Sequence, residues 1–398
     1  MPASGATVLT PESAPPGPLR VVCALDSFKG SLGSLAAGKA ACRGVLNADP
    51  TAIVKTFPVA DGGEGTLDAL TASAGGQLFK VDVVDAVRRP VSARYGTVQS
   101  DAGRVAILES AQAVGIEGMK IDESLPPRAS SYGLGVLLSY ALEGRPDEVV
   151  ITLGGSATTD GGTGLLQALG ARLFDGAGHE ISVSGNPLWS FDHADFSGLQ
   201  DLSDVRVTVL CDVDNPMVGP EGAAAVFGPQ KGATLRQVRH LDAQQQRWGL
   251  ALEGHFGVSV ESVPGAGAAG GLGGALLVLG GRLVPGFDYV SGVLGLEAAI
   301  QEADLVITGE GSIDSQSVRG KVPAGVARLA RTAEVTVVGL AGRIGHPLGE
   351  MGDLLDGIFC IHSEPLTLEQ ALDPDRTAAG ISRVSGQVVR LMKSVAKD

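Results

Sequence analysis

Residues Ala303-Asp304-Leu305-Val306-Ile307 lead into Thr308-Gly309-Glu310-Gly311-Ser312-Ile313-Asp314-Ser315-Gln316-Ser317-Val318-Arg319-Gly320-Lys321. The apolar run at 303–307 predicts a buried strand, and the glycines, acids and hydroxyls after it predict a loop at that strand's carboxyl end. Ligands of open α/β sheets collect at such ends.

The same grammar recurs along the chain. Leu19–Leu25 is a near-continuous apolar run, followed by a helix from about Ser34 to Leu46 and a strand over 52–59. Further strand patterns fall at 148–153, 205–213, 304–308, 335–340 and 357–361, separated by helical segments. This alternation predicts βαβ units and mainly parallel sheets. The middle has shorter strand patterns at 91–98, 104–109 and 257–263. At 398 residues the chain exceeds one comfortable core,. The expectation is a doubly wound domain built from 19–86 and 290–398, with a second α/β domain, 87–289, inserted between them. The proline-rich stretch 1–18 reads as a disordered leader,.

Composition removes several function classes. The net charge of −14 argues against a nucleic-acid surface and against binding to anionic membranes,. No apolar run is long enough to predict a spanning helix. Four scattered cysteines without a C-x-x-C pair predict free thiols in a reducing cytoplasm,. The six histidines show no metal-ligand spacing,.

What remains is a set of strand-end loops with one chemistry. They are Asp26-Ser27-Phe28-Lys29-Gly30, Asp61-Gly62-Gly63-Glu64-Gly65, Gly154-Gly155-Ser156 running on to Asp160, Asp212-Val213-Asp214, the 308–321 stretch, and Ala341-Gly342-Arg343. Glycine amides approach phosphate oxygens closely, carboxylates hold magnesium or accept a proton, and lysines neutralise anions. The set therefore predicts a phosphate site that uses Gly62, Gly63, Gly154, Gly155, Ser156, Gly309, Gly311, Lys231 and Lys321. Folding alone offers blander readings: Asp26 and Asp61 as helix caps, Lys231 as a surface turn, Arg343 as a surface ion pair. Gly33–Ala40 imitates a P-loop but lacks the final Ser or Thr and falls in a helix body,. Gly265–Gly270 matches the dinucleotide fingerprint and supports an alternative function, a nicotinamide-dependent oxidoreductase,.

Taken in order, Asp26–Ser31, Ala60–Thr66, Gly154–Gly162, Cys211–Pro216, Phe227–Ala233, Pro264–Gly273 and Ile307–Ser317 closely resemble the signature stretches of the type-1 glycerate kinases. The resemblance runs from about residue 20 to 345. It implies a Rossmann-like domain formed by both chain ends, an inserted flavodoxin-like domain, and a site between them. It also implies ATP-dependent, magnesium-dependent phosphorylation of D-glycerate to 2-phosphoglycerate, by a monomer or homo-oligomer. By position, Asp26, Ser27, Lys29, Asp61, Glu64, Glu310 and Asp314 fall in signature loops of the discontinuous domain, and Asp160, Asp212 and Lys231 in those of the insert. On this mechanism Lys29 stands near an anionic group, Asp61 or Asp314 is the base, and Glu310 with Asp212 holds magnesium. Relatives often carry Arg where this chain has Ser312, so Arg319 or Arg343 is expected to supply that charge.

Overall fold

The computed structural model describes residues 17–318 and 321–395. Nearly all of the expected leader, and Arg319, lie outside the described residues. In chain order the strands are β1 (Arg20–Leu25), β2 (Ile53–Pro58), β3 (Gln77–Val84), β4 (Pro90–Ser100), β5 (Gly103–Glu109) and β6 (Glu148–Thr152). There follow β7 (Arg172–Phe174), β8 (His193–Asp195), β9 (Arg206–Leu210) and β10 (Arg282–Val284). The last are β11 (Leu305–Ile313), β12 (Thr336–Ile344) and β13 (Gly357–Cys360).

Two sheets organise the molecule, an α/β fold with mainly parallel sheets. The first is all-parallel, in the order β13-β12-β11-β1-β2. Its central strand is β1, and Val21 to Leu25 are buried because helices cover both faces,. On one face, helix α1 (Ser34–Ala48) and the helix Pro374–Val395 pack over Val21, Cys23 and Leu25. On the other, the helices Gly286–Leu294 and Val322–Thr332 pack over Val22 and Ala24. The order of strands reverses beside β1, so the β1–β11 border is a switch point of the kind that opens a ligand crevice,.

The second sheet runs β10-β9-β6-β5-β4-β3, parallel from β10 to β5 and antiparallel beyond. Strand β3 belongs to it. The chain thus leaves the first sheet after helix α2 (Thr66–Ser73), earlier than the boundary at 86 expected from texture. The expected strand at 257–263 does not form. Its apolar signal comes from Val260, which is buried in the second core from an irregular segment.

One apolar cluster is common to both sheets. It joins Val22, Ala24, Leu67 and Leu70 to Val105, Ile107, Val150 and Leu210. The strand ends that carry the acids are therefore held against each other by a continuous core, in which every buried aliphatic side chain contributes about 1.5–3 kcal/mol,.

Candidate active site

Two of the strands end differently from the sequence expectation. Strands β11 and β12 do not stop at Ile307 and Leu340. They continue as a parallel pair through Ile313 and Ile344, with Glu310 opposite Ala341 and Ser312 opposite Arg343. Glu310 is thus a buried strand residue rather than a loop residue. Gly309 is needed there for closeness, since a Cβ would lie 2.2 Å from the Leu340 carbonyl oxygen.

Beside them β1 runs out into Asp26, whose backbone N–H donates to the Gly309 carbonyl at 2.9 Å. Strand β2 runs out into Asp61, whose Oδ1 accepts the Gly63 N–H at 2.9 Å. From the second sheet β9 runs out into Asp212, whose Oδ1 accepts the Gly286 N–H at 2.8 Å. Neither Asp26 nor Asp61 caps a helix. Helices α1 and α2 begin after Gly33 and Gly65, with no cap from their own N-terminal side chains.

The acids crowd around Asp61. Burial pushes Asp26 up to about 7, and the charges of Asp61 and then Glu310 add to it, against the Ser27 N–H and Lys29. Burial likewise pushes Asp212 up to about 7, with Asp61 and Asp288 adding and the Gly286 N–H opposing. Glu310 is raised for the same first reason, although Ser317 and Lys321 counter it and Asp61 adds. Asp61 is the common neighbour of all three.

Asp61 and Asp212 border a cleft of about 480 Å³ between the sheets. Of the expected site residues it is lined by Lys29, Asp61, Gly62, Gly63, Glu64, Gly154, Gly155, Ser156, Asp212 and Lys231. Close backbone contact closes the floor. A Cβ on Gly62 would sit 2.8 Å from Gly286 Cα, and one on Gly154 would sit 2.9 Å from Gly63 Cα. Lys231 is no surface turn: it is only 4% exposed. Its Nζ donates to Ser156 Oγ at 3.2 Å and to the Thr158 carbonyl at 2.6 Å. Burial lowers its pKa to about 8, partly opposed by Asp160. The sequence reading missed Phe227 and Gln230, which also line the cleft. Both lie in the 227–233 stretch, in which Lys231 carries the only charge.

A second cavity of about 560 Å³ opens between α1 and α2, with Asp26, Ser27 and Glu64 in its wall. Its other walls include the apolar Leu35, Ala36, Ala69, Ala72 and Leu78. Glu64 faces both spaces.

Several expected residues stand elsewhere. Asp160 is fully buried, and its carboxylate accepts hydrogen bonds from Ser131 N–H and Oγ–H and from the N–H groups of Gly162 and Gly164. It organises the 160–164 turn and lines neither cavity. Asp314 accepts from the Gln316 N–H at 2.9 Å in the turn after β11, and it too lines neither. Glu310 is already held, accepting from Ser317 Oγ at 2.6 Å and pairing with Lys321 Nζ at 3.3 Å. Lys321 is thereby spent on Glu310, and Gly311 backs the Lys29 turn, its Cβ direction facing Lys29 N at 3.6 Å. Gly265 to Gly270 follows no strand, and Gly270 is packed against the Thr158 carbonyl. The dinucleotide-fold context that the fingerprint requires is missing there.

Among the described residues no three His, Cys, Asp or Glu side chains converge to hold a metal by themselves. No described helix is long and apolar enough to cross a membrane.

The chain as a whole is similar to known proteins. The sequence profile described as the glycerate kinase family matches residues 21–393. A glycerate kinase of Bacillus subtilis (strain 168) is 41% identical over 372 residues, which cover 92% of this chain and 97% of that protein. A glycerate 2-kinase of Escherichia coli (strain K12) is 40% identical, covering 89% and 93%. The crystal structure of a putative glycerate kinase 2 from Salmonella typhimurium LT2 superposes with a TM-score of 0.83 at 38% identity, covering 96% of this chain and all of that one. With its strand-end acids, its glycine floor and these matches across nearly its whole length, the chain belongs to the glycerate kinase family.

Proposed function

We propose that this kinase transfers the γ-phosphoryl group of ATP to the 2-hydroxyl of D-glycerate, yielding ADP and 2-phosphoglycerate. The observation that carries the reading is the meeting of Asp61 and Asp212, from strand ends of two sheets and with Asp26 beside Asp61, at a cleft floored by glycines and flanked by Lys29 and Lys231. Phosphoryl transfer asks mainly for positioning and charge neutralisation, and those groups supply both. Direct in-line transfer needs no covalent intermediate on the protein.

Roles follow from position. Asp61 lines the cleft, whereas Asp314 does not, so Asp61 is the group that accepts the proton of the glycerate hydroxyl,. Lys231 is a buried cation whose protein partners are a hydroxyl and a carbonyl, and it suits the glycerate carboxylate,. The amides of Gly62, Gly154 and Gly155, with Lys29, suit the transferring phosphates, while the Gly63 N–H holds Asp61,. Arg343, in register with Ser312 on the neighbouring strand, is the described arginine suited to add the charge of the missing family arginine. The apolar cavity between α1 and α2 suits the nucleoside, with Glu64 at the passage to the phosphates,.

The acid excess also fits magnesium, which keeps several waters and takes one or two carboxylates together with phosphate oxygens. Asp212 and Glu64 are the cleft-lining acids suited to hold it, because Glu310 is tied by Ser317 and Lys321. Bound there, the metal would neutralise phosphate charge. Donor chemistry and free thiols agree with a cytoplasmic enzyme,.

In a coupled ADP-release assay with D-glycerate, Asp61→Asn is expected to lower kcat by about 100-fold or more, in the range of removing a general base. Near-normal kcat would remove Asp61 from that role. In the free enzyme Lys231 is charged below about pH 8 and neutral above it, and carboxylate capture requires the charged form. The KM for glycerate should therefore be level below that pH and rise about tenfold per unit above it. Lys231→Met should show a high KM without that inflection, and an unchanged profile would contradict the assignment. Ala36→Trp, on an exposed position of α1, should raise the KM for ATP by about tenfold and leave that for glycerate within about twofold,. Equal changes in both would place the nucleoside elsewhere.

A further inference from the structure

Helix α2 starts directly after the Asp61–Gly65 loop, and its start is held in an unusual way. The preceding Gly65 is left-handed, with φ 92°, and no side chain at the helix's own N-terminus caps it. The missing acceptor comes from the other sheet. Glu109, the last residue of β5, is 2% exposed, and its Oε1 accepts the Leu67 N–H at 2.8 Å. Its Oε2 accepts from Gln112 Nε2 at 3.3 Å. Burial raises the Glu109 pKa, with Asp68 adding to it, and the N–H groups of Leu67 and Gly65 and the Gln112 amide counter that.

A carboxylate at a helix N-terminus satisfies backbone donors that have no partner within the helix, and it meets the positive end of the dipole. A local Ser or Asp would do this without reference to any other element. Here the acceptor belongs to the sheet that also carries Gly154 and Asp212, the groups on the opposite side of the cleft. Glu109 is not among the residues lining the cleft.

We infer that Glu109 is a positioning residue: by holding the start of α2 against the second sheet it sets where Asp61, Gly62, Gly63 and Glu64 stand relative to Gly154 and Asp212. The inference rests on the kinase reading for its activity measurement only, since the loop geometry can be read independently. It also accounts for a buried acid that the chemistry itself does not use. Removing it leaves the Leu67 N–H buried without a partner and frees the loop to shift, and small misplacements at a reacting centre cost up to about 100-fold in rate.

The test compares Glu109→Ala, Glu109→Gln and Ile381→Ala in the full-length protein. Ile381 is buried in the helix Pro374–Val395, outside the core shared by the two sheets, and its truncation weakens packing without touching α2 or the loop hydrogen bond. Glu109→Ala is expected to lower kcat about 10- to 100-fold, with the KM for glycerate within about threefold. Glu109→Gln, which keeps an acceptor for Leu67, should recover most of that loss. Ile381→Ala should lose comparable or greater thermal stability and keep kcat within about twofold at a temperature where all variants are folded. Hydrogen exchange of the peptide spanning 61–66 should speed up in Glu109→Ala only. Unchanged exchange and kcat in Glu109→Ala, or an equal kcat loss in Ile381→Ala, would overturn the inference. Faster exchange in Glu109→Ala, together with no ADP release from the wild-type protein given glycerate, would uphold the positioning and overturn the kinase reading instead.

Discussion

The burial of neighbouring carboxylates around Asp61, which their mutual repulsion then sharpens, is the constraint on which the rest of the site depends. Two like charges about 6 Å apart cost roughly 3 kcal/mol at an effective dielectric near 20. Burial, and after it the charge of Asp61, pushes Asp26 and Asp212 up to about 7, and burial raises Glu310 with a smaller push from Asp61. A fold does not gather such groups for stability. On the function proposed above, cations and a phosphoryl group arriving there would turn the repulsion into attraction.

Holding them requires compensation from the surroundings. The shared core of Val22, Leu67, Leu70, Ile107 and Leu210 fixes the two sheets together, and contacts between Gly62 and Gly286 and between Gly63 and Gly154 set their spacing. The Gly286 N–H satisfies one oxygen of Asp212, and Glu109 anchors α2 across the same junction. The acids thus stand on rigid strand ends, and the glycines bring backbone amides where side chains would block them. Lys231 shows the same logic with the opposite sign: a cation buried beside the cleft and bonded only to neutral oxygens.

Much of this was legible in the sequence because strand ends announce themselves locally. An apolar run followed by glycine and acid marked β1, β2, β6 and β9 and the cleft residues after them. What failed was what depends on partners distant in sequence. Strands β11 and β12 extend beyond their apolar runs because each supplies the other's hydrogen bonds, so Glu310 and Arg343 lie in strands rather than loops. Strand β3 follows the first sheet in sequence and pairs with β4 of the second, which moved the boundary. Asp160 has the same local context as a phosphate ligand, and only the position of Ser131, distant in sequence, makes it a structural acceptor. Glu109 ends a visible strand pattern, but its partner Leu67 lies in a different sheet's helix, and no spacing rule connects them.

The most direct measurement of the central claim is phosphorus NMR of the purified protein with ATP and D-glycerate, with and without magnesium. The account predicts that the γ-phosphate signal of ATP falls in step with the growth of a phosphomonoester coupled to the single C2 proton of glycerate, and only when magnesium is present. A phosphomonoester coupled to the two C3 protons, or ATP left intact in the presence of magnesium and glycerate, would contradict it.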